Sequence, residues 1–125
     1  MKFAALTALV AATLAAPALA SDWVLVGVGS ANGSKYYIDR LSIRTMPNGY
    51  KRAWGKTDFS KADKDGDTGV TGYDEYDCIE KRFRNISFTY FKDKQPTTTS
   101  NEVSKWDYVL PDSIAESLLI LVCRK

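Results

Sequence analysis

The chain predicts an α+β domain: a curved antiparallel sheet of about six strands, with one C-terminal helix packed on its concave face and tethered by a disulfide. Three observations carry this. Runs of β-branched and aromatic residues separated by turn signals fill most of the region from Asp22 to Leu110, whereas Pro111 to Lys125 changes to helical spacing. There are two cysteines, Cys78 and Cys123, and the second lies at the end of that helix.

Met1 to Ala20 stands apart from this fold and reads as a signal peptide. Lys2 gives the positive start, Phe3 to Ala15 the apolar run, and Ala18-Leu19-Ala20 the small-x-small cleavage pattern, with cleavage expected before Ser21. The apolar run is shorter than the ~20 residues that span a bilayer. No cysteine adjoins the cleavage site, so the expected product carries no lipid or membrane anchor and is periplasmic or extracellular. The Ala-rich signal points to a bacterial source. The remainder, 21–125, fits one domain.

The first strand is Trp23-Val24-Leu25-Val26-Gly27-Val28. Asn32-Gly33 then signals a tight hairpin of type I′, and Lys35 to Leu41 returns. Asn48-Gly49 after Pro47 marks the next reversal and leads into a third strand, Tyr50 to Phe59. Alternation places Tyr50, Arg52, Trp54 and Lys56 on one side of it and Lys51, Ala53, Gly55, Thr57 and Phe59 on the other. Ser60 to Gly72 is polar and aperiodic, a loop. Tyr73 to Lys92 is extended but too long for one ordinary strand, so a turn or strong bend is expected near Asn85, with Ile79 and Phe83 on one face before it. Asp93 to Ser100 reads as a polar connector, and Glu102 to Leu110, with Trp106 and Tyr108, as the last strand.

The helix is the most sharply defined element. Ile114, Leu118, Leu121 and Val122 share one face, which Ala115 and Leu119 widen to more than half of the circumference. A flat surface could not cover so wide a stripe, hence the curved sheet. Ser113 is placed to cap the first turn, with Glu116 three residues later as in a capping box. Ile120 is left on the outer side, facing either a loop or another chain. Two cysteines in an exported chain have one intramolecular pairing, Cys78 to Cys123, which would add roughly 4 kcal/mol by chain entropy. Free redox thiols are the alternative, but no CxxC or histidine supports it.

These residues resemble the surface-adhesin protein E family of exported bacterial domains. The likeness runs through Trp23, Tyr36-Tyr37-Ile38-Asp39, Lys51-Arg52-Ala53-Trp54, Tyr76-Asp77-Cys78 and Lys81-Arg82-Phe83-Arg84. Its most specific part is the end: Trp106 and Val109 ahead of Pro111, Ser113 and Glu116, then Leu118-Leu119 and Val122-Cys123. The resemblance implies the same six-stranded sheet, helix and disulfide, and adhesion to host extracellular-matrix or serum proteins. It assigns no ligand-contacting residue.

Charge and composition exclude several classes of function. Removing Lys2 from the 17 basic residues leaves 16 against 15 acidic ones, too balanced for a dedicated nucleic-acid binder. There is no histidine, which removes Ser-His-Asp and Cys-His catalysis and most zinc sites. Asp63, Asp65 and Asp67 alternate in the polar loop, but an EF-hand counted from Asp63 would need Gly at Thr68 and Glu at Asp74. Glu75 and Asp77 share a strand face and Asp74 takes the other, an arrangement more typical of solvated or ion-paired carboxylates than of a catalytic dyad. No enzyme activity, metal or cofactor is expected. A small hydrolase would require a deep pocket holding a carboxylate of shifted pKa.

The remaining constellation is basic and aromatic. Lys81, Arg82 and Arg84 would join Lys51, Arg52 and Lys56 if their strands were neighbours, and with Trp54 and Tyr50 they would form a patch able to grip an acidic protein, a sulfated glycan or a lipid head group. The competing reading is a solvated face whose charges pair with Asp58, Asp74 and Glu80. Tyr36, Tyr37 and Trp106 are expected to pack on the sheet. The sequence therefore points to an exported, non-catalytic domain that binds a protein partner, with open sheet edges allowing a homodimer. The alternative is a periplasmic inhibitor or accessory of a cell-envelope enzyme, presenting a loop such as Asp63 to Gly69.

Overall fold

A computed structural model describes residues 20–30 and 32–124. The expected signal peptide, but for Ala20, lies outside the described residues. Eight strands form one antiparallel sheet: β1 (Trp23–Val28), β2 (Lys35–Asp39), β3 (Arg44–Thr45), β4 (Lys51–Asp58), β5 (Gly69–Asp77), β6 (Arg82–Lys92), β7 (Gln95–Ser100) and β8 (Asp107–Tyr108). Their order is β1-β2-β4-β5-β6-β7, with β3 appended to β4 and β8 to β6. The sheet curls into a half-barrel around helix α1 (Ile114–Cys123), as the width of the apolar stripe requires.

The β1–β2 connection is longer than Asn32-Gly33 led one to expect. Strand pairing stops at Val28 and Lys35, Gly33 has φ 74°, and the Asn32 side chain accepts a hydrogen bond from the Ser34 amide at 2.9 Å. Asn32 thus shapes a wider loop. The type I′ geometry appears at Asp93-Lys94 instead, with φ of 47° and 74° between the paired residues Lys92 and Gln95.

Three other expectations are corrected. β5 begins at Gly69, inside the segment read as loop. The reversal expected near Asn85 lies at 78–81, where Asp77 Oδ1 accepts from the Ile79 and Glu80 amides at 3.2 and 3.1 Å. Ile79 is 90% exposed there and shares no face with Phe83. Asn85 marks a bulge: Tyr73 pairs with Ser87 and Asp74 with Asn85, so Ile86 is the extra residue and β6 bends. Finally, 95–100 is a strand rather than a connector, because its threonines fit a pleated edge and Thr99 meets Thr89 at 3.0 Å, while only Asp107–Tyr108 of the expected last strand joins the sheet. The chain before β8 is instead clipped to the bulge by hydrogen bonds between Ser104 and the Asn85 backbone.

The core is Ile38, Ala53 and Tyr76 from the sheet against Leu119 and Val122 from the helix. Gly27 lets the helix approach β1: a Cβ there would lie 2.6 Å from Ile114 Cδ1. Ser113 Oγ caps the helix by accepting from the Glu116 amide at 3.2 Å, and Glu116 reaches back to the amide of Asp112, one residue before the cap. Cys78 and Cys123 are bonded, with Cα atoms 5.8 Å apart, which ties the β5–β6 turn to the end of the helix. Ile120 is 53% exposed, and among the described residues no loop buries it.

Candidate functional site

The convex face of the half-barrel gathers most of the basic and aromatic side chains singled out in the sequence. Period-two alternation aims Arg52, Trp54 and Lys56 away from the core, opposite to buried Ala53. β4 and β6 are not neighbours; β5 lies between them, and its register sets Arg52 beside Glu75 and Glu75 beside Arg84. Glu75 is fully buried, and each of its oxygens takes one guanidinium: Oε2 accepts from Arg52 Nε at 2.9 Å, and Oε1 from Arg84 at 2.7 to 2.8 Å. The arginines keep 28% of their side chains exposed. The row thus presents net positive charge above a buried counter-ion.

Aromatic rings separate and support these cations. The guanidinium carbons of Arg82 and Arg84 lie 4.5 and 4.3 Å from the Trp106 ring centroid, and Tyr50 meets the same ring edge-on at 5.1 Å. Trp54 packs on Tyr73 at 4.8 Å, and Arg52 lies over Tyr73 at 5.9 Å. Lys56 Nζ is 4.7 Å from the Trp23 ring and 5.2 Å from that of Tyr37. Beside Trp54 a cleft of about 600 Å³ is lined by Leu41, Ser42, Arg44 and Tyr73 among others. Trp54 is 40% exposed, a large aromatic surface left to solvent.

Two of the basic residues stand elsewhere. Lys51 pairs with Tyr76, on the concave side, and Lys81 occupies the β5–β6 turn at φ 58°. The acidic partners of the arginines also differ from those expected: Arg52 and Arg84 pair with Glu75 and Arg82 with Asp77, rather than with Asp58, Asp74 or Glu80. Asp77 Oδ2 accepts from Arg82 at 2.9 Å. Burial alone would raise the Asp77 carboxyl, but the Glu80 amide, Arg82 and the Ile79 amide outweigh it and hold it below the ordinary carboxylate value. Glu75, Tyr73, Trp106 and Trp23 were missed as members of the face. Their alternation was readable, but their neighbours depend on cross-strand register.

The aspartates of the 60–68 loop serve structure. Asp63 Oδ1 accepts from the Asp65 and Asp67 amides, both at 2.9 Å, and Asp67 Oδ1 accepts from Thr97 Oγ1 at 2.7 Å, pinning the loop to β7. On the concave side, Asp74 lies in a pocket of about 240 Å³ beside the helix. Burial pushes its carboxyl up to about 6, against the lowering effect of a hydrogen bond from Asn85 Nδ2 at 2.8 Å. It lines the pocket without a second carboxylate, whereas the glycosidase pattern uses a pair.

Among curated proteins none matches the chain. A solved structure of Haemophilus influenzae protein E (crystal form II) has the same fold, with a TM-score of 0.60 at 16% identity, over 91% of this chain and 97% of that one. The sequence profile of surface-adhesin protein E matches residues 23–124, the whole sheet and helix together. The chain belongs to the surface-adhesin protein E family.

Proposed function

We propose that this protein is an exported, non-catalytic adhesin-like domain that binds an acidic protein surface through its convex face. The observation that carries the reading is the alternation of Arg44, Arg52, Arg82, Arg84 and Lys56 with Trp54, Tyr73 and Trp106 on one exposed face, anchored from below by Glu75. Tryptophan, tyrosine and arginine are the residues that dominate protein interfaces, and here ring contacts and ion pairs hold them in place before any partner arrives. Host extracellular-matrix and serum proteins are the partner class that the family supplies. The open edges at β1 and β7 offer backbone groups to a second copy, which would double the number of binding faces without covering them.

The test has two parts. Purified 21–125 is passed over immobilised extracellular-matrix and serum proteins at rising salt, and producing cells are fractionated and probed with protease. Saturable, salt-sensitive binding together with surface-accessible protein supports the proposal. Protein confined to the periplasm would rule out direct host adhesion and favour the inhibitor or accessory role, with the 60–68 loop as the contact.

A further inference from the structure

We infer that the concave pocket is a second binding site, for a small quaternary ammonium group held by Asp74 and an aromatic wall. The pocket exists because Gly55 and Gly72 pair directly across β4 and β5 on the concave face, leaving its floor as bare backbone. Tyr36, Phe88 and Tyr90 line it, and Leu118 of α1 closes one side. The Phe88 and Tyr90 rings stand 5.4 Å apart at 83°, so they offer a cation both a ring face and an edge-on neighbour. At about 240 Å³ the space suits a head group and not a drug-sized molecule.

Charge and hydrogen bonding select the ligand class. Asn85 Nδ2 donates to Asp74 Oδ1, and no hydrogen bond reaches Oδ2 among the described residues. Among the described residues no cation compensates Asp74 from within the pocket: Lys56 contributes to its lining, but its ammonium sits over the Trp23 and Tyr37 rings on the convex side. The other groups facing Asp74 are Tyr76 on β5, whose hydroxyl is itself raised by burial and then by the Asp74 charge, and Asn85 on β6; Tyr36 on β2, Tyr90 on β6 and Leu118 on α1 complete the wall. A half-buried carboxylate with no cation beside it among the described residues favours a cationic ligand. A primary ammonium would need acceptors for three N–H donors. A quaternary ammonium has no donors to satisfy and gains from aromatic surroundings and one negative charge.

The experiment titrates the folded domain with choline and with its neutral carbon isostere, 3,3-dimethylbutan-1-ol, while recording amide NMR spectra. Choline is expected to shift Gly55, Gly72 and Asn85 saturably, with the isostere binding at least roughly tenfold more weakly. Asp74→Asn, which keeps the side-chain shape, should lose a similar factor, as should Tyr90→Leu, which removes a ring but no charge. Affinity should fall as the pH drops below about 6, where Asp74 takes up its proton. Phosphatidylcholine vesicles form the second arm: co-sedimentation that Asp74→Asn abolishes would place the ammonium on a lipid head group and still support the site. Equal binding of choline and the isostere, unchanged affinity in Asp74→Asn, or no saturable shift at these amides would overturn it.

Discussion

Glu75 Oε2 lies 2.9 Å from Arg52 Nε, and the opposite oxygen of the same carboxylate lies 2.7 Å from Arg84, so one buried acid on β5 joins the basic rows of β4 and β6. Removing either arginine leaves Glu75 with one partner; removing both leaves a buried charge with none. Arg52→Ala and Arg84→Ala should each cost about 1–3 kcal/mol. The double variant should exceed their sum by roughly 0.5–3 kcal/mol. Adding Glu75→Gln should recover part of that loss, because the charge goes. Urea unfolding of the wild type and these four variants reads the coupling.

The Cys78–Cys123 bond spans a sequence separation of 45 and fastens the only α-helix among the described residues to the β5–β6 turn. Replacing both cysteines with alanine should lower stability by about 4 kcal/mol. Hydrogen exchange should show the loss first in α1, since its half-buried stripe meets the sheet on one side only.

Asp74 sets a pH dependence. Its carboxyl is pushed up to about 6 from 3.8 by burial, so the folded protein holds this proton more tightly than the unfolded chain does. That contribution is complete below about pH 4 and is lost as pH rises through 6, amounting to about 3 kcal/mol. Asp77 acts in the opposite sense, and its contribution is lost only at more acid pH, because its carboxyl is held below the ordinary value. Asp74→Asn should therefore gain stability over the wild type between pH 4 and 7, measured as the difference in urea midpoints.

Gly27 and Ile114 form a close contact that a methyl group would disturb. A Cβ at Gly27 falls 2.6 Å from Ile114 Cδ1, so Gly27→Ala should cost about 1–3 kcal/mol. Ile114→Val removes the colliding atom and should be less harmful in the Gly27→Ala background than alone, a favourable coupling that a double-mutant cycle measures.

The helix and β4 were legible because each shows its own period without interruption: Ser113 caps, Leu119 and Val122 bury, and Ala53 points inward between Arg52 and Trp54. β7 was hidden by its threonines, which look like a polar linker until an edge is available to pair with them. The 78–81 turn carries no glycine, proline or asparagine; Asp77 and a positive φ at Lys81 build it, a signal weaker than Asn85 and in the wrong place. Alternation had already put Lys51 on the opposite side from Arg52, and the structure agrees. The role of Glu75 needed the register of three strands, which no single strand pattern contains.

The central claim is that the convex face binds, and a comparison of three proteins tests it most directly. Trp54→Ala with Arg44→Glu alters exposed side chains and leaves the Glu75 ion pairs intact, whereas Lys64→Glu reverses a charge on the distant 60–68 loop. Biolayer interferometry against the partner retained at low salt should show the convex double variant weakened at least roughly tenfold and Lys64→Glu unchanged. Full affinity in the convex variant, or its loss in Lys64→Glu alone, would contradict the account.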